Sequence, residues 1–298
     1  MDLPPELLSI ICSFLAKVDL KAFRQVCQLF NQAAVPFLFD RVYISASKED
    51  LEVSILIGQR FGLYVKELVF IARYYEEHCR SYYDEKITAY LARHSIDDVT
   101  DQELATSCAE YCTKREEHNE LISNREDVVH LCYAFARMPN IEKVCISDRL
   151  PGGYGAPTWT DLKKLRNGSR LDTWHHPASV STFYVEENGS SQGEKEWMSR
   201  PLIIVMTAIS IGSRPIKHFF ICPEYPSYFP IEAFDQSPRN LQHLANVFQH
   251  LETIRMNLSS DDGYAQEEKF FSLAKIALAL CTATNLRSLF LQIEVEEV

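Results

Sequence analysis

Asp2-Leu3-Pro4-Pro5-Glu6-Leu7-Leu8 leads, through Val26-Cys27-Gln28-Leu29-Phe30, to Pro36-Phe37-Leu38-Phe39, and these first forty residues predict three short packed helices. Proline at the start of a helical run costs little, because the first amides have no intrahelical partner and the ring presets φ; Pro4-Pro5 therefore marks the start of the first helix. Leu8, Ile11 and Leu15 recur at helical spacing, and Leu7 and Phe14 widen the stripe. Val18-Asp19-Leu20 restarts the chain, with Asp19 as the expected cap of the second helix, and Phe23, Val26, Cys27 and Phe30 continue the apolar face. So small a unit cannot build a self-sufficient core. Part of its apolar face is expected to be completed by another protein and part by the rest of the chain.

Leu3-Pro4, Glu6-Leu7-Leu8, Ile11, Leu15, Asp19-Leu20, Val26-Cys27, Phe30 and Pro36-x-Leu38-Phe39 together resemble an F-box along the length of that motif. The resemblance implies docking on the Skp adaptor, and through it on cullin and RING subunits of a ubiquitin ligase. It also implies that Leu3, Pro4, Leu7, Leu8, Ile11, Leu15, Leu20, Val26 and Cys27 face or support the adaptor.

Beyond residue 39 a different pattern begins. Phe39-x-x-Val42-x-Ile44 is an apolar triplet that suits a short strand with alternate side chains turned inward. It returns at Val65-x-x-Leu68-x-Phe70, Ile141-x-x-Val144-x-Ile146, Ile216-x-x-Phe219-x-Ile221, Leu251-x-x-Ile254-x-Met256 and Leu286-x-x-Leu289-x-Leu291, in steps of 26, 76, 75, 35 and 35 residues. Helices are expected between the triplets over 49–61, 125–138, 201–211, 239–248 and 267–281. The pattern resembles the degenerate leucine-rich repeats that often follow an F-box, especially in fungal proteins, although the asparagine of the repeat consensus is missing after most triplets. A doubly wound sheet is the competing architecture, but no glycine-rich phosphate loop follows any strand.

The expected fold class is therefore α/β: a three-helix F-box over 1–40, then an irregular strand–helix leucine-rich-repeat solenoid over 41–298. Two long insertions, about 72–125 and 149–200, interrupt it. The first should be a helical excursion, with runs at 84–93 and 101–122; the second is an irregular loop with a short helix at 160–166. The helices of the F-box are expected to cap the first strand. The charged segment Ile293-Glu294-Val295-Glu296-Glu297-Val298 reads as edge protection or as a point from which the chain continues.

Composition excludes several functional classes. The net charge of −11 disfavours nucleic acid and anionic membrane partners. Neither Leu7 to Ala16 nor Leu202 to Gly212 approaches the roughly 20 apolar residues of a membrane span, and the former has no basic leader, so it is not read as a signal peptide. Nine cysteines, several within apolar patterns, predict a reduced cytoplasmic or nuclear setting, in which the sequons at Asn167, Asn188 and Asn257 are chance matches.

Candidate chemistry is sparse. Cys108, Cys112 and His118, with His78-Cys79 upstream, offer soft ligands, but only one cysteine pair has metal-like spacing, and His175-His176 reads as a packed or solvated pair. No nucleophile elbow is present, and Asp97-Asp98 and Asp261-Asp262 look like turn residues. No catalysis, metal or cofactor is expected. The repeats offer surface instead: residues between the buried ones should form two columns, Glu67, Lys143, His218, Thr253 and Ser288 beside Val69, Cys145, Phe220, Arg255 and Phe290. Phe220, Arg255 and Phe290 are the candidate substrate contacts. The expected function is thus a substrate receptor of a Skp–cullin–F-box ligase, the alternative being a scaffold that binds the adaptor without ubiquitinating a partner.

Overall fold

A computed structural model describes residues 3–74, 101–147, 180–181, 192–212, 215–222, 229–260 and 266–295. It opens with helices α1 (Pro5–Phe14), α2 (Lys17–Phe23) and α3 (Gln28–Leu38). Pro4 is the N-cap of α1 and Pro5 its first residue, where a missing amide is harmless. The expected Asp19 cap does not form: α2 begins at Lys17 behind Ala16, with no side-chain cap bond, and Asp19 lies within the first turn. There its charge still complements the positive end of the helix dipole.

Both α1 and α2 pack on α3 around Cys12, Leu20, Ala34 and Leu38, and the rings of Phe23 and Phe30 stack 4.4 Å apart. Lys17 fastens the unit below. Its ammonium donates to the carbonyls of Phe37 and Leu38, at the end of α3, and to the Asp40 carboxylate. Those carbonyls have no intrahelical partner, so the lysine caps α3 where the chain leaves for the sheet.

The strands are β1 (Arg41–Ser45), β2 (Glu67–Ile71), β3 (Arg73–Tyr74), β4 (Lys143–Ser147), β5 (Val180–Ser181), β6 (His218–Ile221), β7 (Phe229–Pro230), β8 (Thr253–Ser260) and β9 (Ser288–Val295). All but β3 and β5, which form their own antiparallel pair, belong to one parallel sheet. Its spatial order, β1-β2-β4-β6-β8-β9, follows the chain without reversal, and β7 lies beside the second half of β8. A doubly wound sheet would reverse direction at a switch point.

The triplets stand in register. Val42, Leu68, Val144, Phe219, Ile254 and Leu289 form one row across the sheet, and Ile44, Phe70, Ile146, Ile221, Met256 and Leu291 a second. Entry to β2, β4, β6, β8 and β9 repeats one hydrogen-bonding device. The carbonyl of Asp40 accepts the amides of Lys66 and Glu67; those of Lys66, Glu142, Lys217 and Glu252 do the same for the next pair of amides along the sheet.

Helices α4 (Lys48–Phe61), α5 (Asp101–Ser123), α6 (Glu126–Ala136), α7 (Gln192–Ile211), α8 (Pro238–Phe248) and α9 (Gln266–Cys281) fill the crossings. Successive crossing helices touch: α4 packs on α6, α6 on α7, α7 on α8 and α8 on α9. They enclose the two strand rows from β1 to β8 in a core that runs from Val42 to Ala283, whereas Leu289 and Leu291 of β9 stay exposed. Ser47 and Ser237 cap α4 and α8 by accepting from the amides of Asp50 and Asn240. Glycine matters at one approach. A Cβ on Gly62, in the 3-10 turn after α4, would lie 1.9 Å from the Arg137 carbonyl oxygen, and one on Gly58 would lie 3.0 Å from the Arg137 Cβ.

The first insertion contributes α5 as expected. The helix expected from Pro201 instead starts at Gln192, inside the second insertion, with Pro201 in its interior. The reason is a buried ion pair one residue earlier: Arg200 donates to both carboxylate oxygens of fully buried Asp127 at 2.8 and 2.9 Å, and to the Ile122 carbonyl, tying α7 to α6 and α5. The helical run expected at 84–93 and the short helix at 160–166 lie outside the described residues.

Candidate functional site

Two surfaces gather the side chains that the sequence singled out. On α1 the apolar residues divide between two faces. Leu8 is fully buried and Cys12 lies in the helical core, whereas Leu7 is 47% exposed, Ile11 40% and Phe14 84%, with Ile10 beside them. A helix apolar on one face only would need no second cover; this one is apolar on two, and α2 and α3 cover one of them.

Among the positions that the F-box resemblance assigned to the adaptor, Leu3, Pro4, Leu7, Ile11, Val26 and Cys27 are exposed. Leu8 and Leu20 are not: both are sealed within the chain, so they support the surface from beneath and cannot touch a partner. Leu15 is half-buried against the helical core. The sequence reading missed Ile10, Val18 and Leu29, which are also exposed. The signal was available for Ile10, which sits three residues after Leu7 and four before Phe14, one helical face.

The second surface is the sheet face opposite the crossing helices. Register confirms the two columns: Glu67, Lys143, His218, Thr253 and Ser288 lie side by side, as do Val69, Cys145, Phe220, Arg255 and Phe290. Charge and aromatics interlock across them. Glu67 accepts from Arg41 at 2.7 Å and pairs with Lys143 at 3.0 Å, the Lys143 ammonium lies 4.6 Å from the centre of the Phe220 ring, and the Arg255 guanidinium lies 4.9 Å from that of Phe290. Arg255 and Phe290 are exposed and Phe220 half-buried; Val69 and Cys145 are buried, so those two positions present no contact surface.

Cys145 and Cys222 meet on this face, packed with Tyr43, Val69, Ile71 and Phe220. The hydrogen bond between the two thiols lowers Cys222 to about 7, helped by Arg255 and Lys143 against the effect of burial. The same bond, with burial, raises Cys145 well above the usual thiol range.

His118 belongs to neither surface. It is buried, and its Nδ1 donates to the Ala46 carbonyl at 2.8 Å, which ties α5 to the turn after β1; burial holds the imidazole below its ordinary pKa. With His118 so engaged, the notional Cys108, Cys112, His118 set does not assemble, and among the described residues no group of three or more His, Cys, Asp or Glu side chains could hold a metal ion. His78, Cys79, His175 and His176 lie outside the described residues. No helix among them is long and apolar enough to cross a membrane.

Comparison with known families matches residues 1–45 to the F-box-like model, a span that takes in α1 to α3 and β1. No curated protein matches the chain.

Proposed function

We propose that the chain is a substrate receptor of a Skp–cullin–F-box ubiquitin ligase. The observation that carries this reading is the uncovered apolar face of α1, Leu7, Ile11 and Phe14, in a domain of the F-box-like family. F-box domains typically bind the Skp adaptor, and an apolar helix of a partner laid on this face would remove it from water. We further read the parallel coil behind it as a degenerate leucine-rich-repeat solenoid that holds a protein substrate on the sheet face bearing Phe220, Arg255 and Phe290. The one-way strand order and the two apolar rows support that reading.

The chain's contribution is proximity, not bond making. Held by one end on the adaptor and by the other on a substrate, it raises the effective concentration of a substrate lysine near the activated thioester of a conjugating enzyme. Eight described thiols, none in a disulfide, accord with work in the reducing cytoplasm or nucleus.

Co-purification with the Skp adaptor tests the docking. Leu7→Ala with Ile11→Ala should weaken it sharply, since truncating each buried anchor of an interface costs about 2 kcal/mol or more, and both side chains are exposed enough to leave the fold intact. Unchanged recovery of the adaptor would reject the assignment. A ubiquitin-transfer assay on captured partners then separates a receptor from a scaffold, which would bind the adaptor and modify nothing.

A further inference from the structure

A cleft of about 470 Å³ opens between α2, the end of α3, β1 and α4, where the N-terminal helices meet the sheet. That volume lies within the roughly 300–1,000 Å³ of ligand sites. Its apolar side is built by Phe39 and Phe61, whose rings stack 4.0 Å apart, with Val53, Leu56 and Ile57 of α4. Val53 and Leu56 are exposed although they belong to a helix whose other face is core.

Cations line the same cleft. Lys21, Arg24 and Arg60 stand in its wall, and none of their side chains forms an ion pair or hydrogen bond among the described residues. The remaining charged groups there are satisfied: Arg41 donates to Glu67, and Asp50 accepts from the amide and hydroxyl of Ser45. Lys21 is held below the ordinary lysine pKa, first by burial and then by the neighbouring Arg24, the expected state of a cation set beside another with no anion between them. In a chain of net charge −11, three unpaired cations around an apolar cleft are not a consequence of overall composition.

We propose that this cleft binds a short acidic peptide segment of a partner protein, seating a bulky apolar side chain against Leu56 and Phe61 and its flanking carboxylates between Lys21, Arg24 and Arg60. The stoichiometry selects the ligand class. Free phosphate would answer the cations and leave the apolar wall wet, whereas a single fatty acid would cover the wall with one charge for three cations. A peptide with acidic residues on either side of an apolar one answers both. No residue of the cleft belongs to the exposed adaptor set, so the proposal does not rest on adaptor docking.

Fluorescence polarisation with the full chain tests it, using labelled Asp-Asp-Leu-Phe-Asp-Asp, its charge-reversed counterpart with four lysines, an apolar-deleted Asp-Asp-Gly-Gly-Asp-Asp, and dodecanoate as competitor. The acidic apolar peptide should bind, weaken as salt is raised, and lose about tenfold or more in affinity when Lys21, Arg24 and Arg60 are all changed to serine. Leu56→Asp, a change at an exposed position that the fold tolerates, should abolish binding by placing a carboxylate among the cations. Equal affinity for the serine variant, equal binding of the lysine peptide, or no binding by any peptide overturns the proposal. So does an outcome in which dodecanoate alone binds, which would make the cleft a lipid site.

Discussion

Cys222 illustrates how one side chain takes its chemistry from neighbours far away in the chain. Cys222 follows the end of β6 while its partner Cys145 sits on β4, and Arg255 and Lys143, which also favour the thiolate, come from β8 and β4. The thiolate is the reactive form, so alkylation of Cys222 should accelerate as pH rises through about 7, where its pKa lies. Stopped-time labelling with iodoacetamide and peptide mapping reads this directly. Cys145→Ala should move the midpoint up toward the ordinary thiol value, and a midpoint unchanged by that substitution would exclude the thiol pair as its cause. No sequence pattern points to the pair, because the two cysteines meet only through the pairing of β4 with β6. On α1 the surplus of apolar surface was by contrast legible, since so wide a stripe exceeds what one small unit can cover, but its division was not: the sequence reading grouped Leu8 with Leu7 and Ile11 and missed Ile10.

At the scale of elements, most crossing helices appear where periodicity placed them, and the exception is instructive. Pro201 looks like a first-turn proline, a position where it is favoured, yet α7 runs past it for nine residues on the N-terminal side. Local propensity loses to the Arg200–Asp127 pair, because a carboxylate with no exposure must have its partner in place. Helix spacing is likewise set by contact and not by propensity at Gly62. Alanine is the better helix former by about 1 kcal/mol, but its methyl would collide with the Arg137 carbonyl and force α4 and α6 apart. Gly62→Ala should therefore destabilise the protein by about 2 kcal/mol or more in denaturant titration, and Gly58→Ala by less, since the nearest atom there is a side-chain carbon at 3.0 Å. A Gly62→Ala protein as stable as wild type would show that the two helices are not in fixed contact.

Over the whole molecule, each crossing rests on its neighbours, so the same substitution should cost different amounts along one row. Ile254 and Leu289 are register partners on adjacent strands, but Ile254 is fully buried and Leu289 is 48% exposed. Ile254→Ala should cost about 2–5 kcal/mol, as deeply buried truncations do, and Leu289→Ala less than half of that; equal losses in chemical denaturation would mean that β9 is as well covered as the strands inside. The triplets made the shared register of the strands readable in advance, because equal spacing lets each strand align with whichever neighbour it pairs; the order of pairing comes from the structure. They did not show which open-face positions are covered, and Val69 and Cys145 turned out to be buried. The doubled amide contact at the entries to β2, β4, β6, β8 and β9 has one more consequence. Connections between crossings are free to lengthen, as the steps of 76 and 75 residues show, but a single residue inserted within a strand would exchange its inward and outward side chains and set it out of phase with both neighbours. Natural variation in length should therefore collect in the connecting segments and spare the strands.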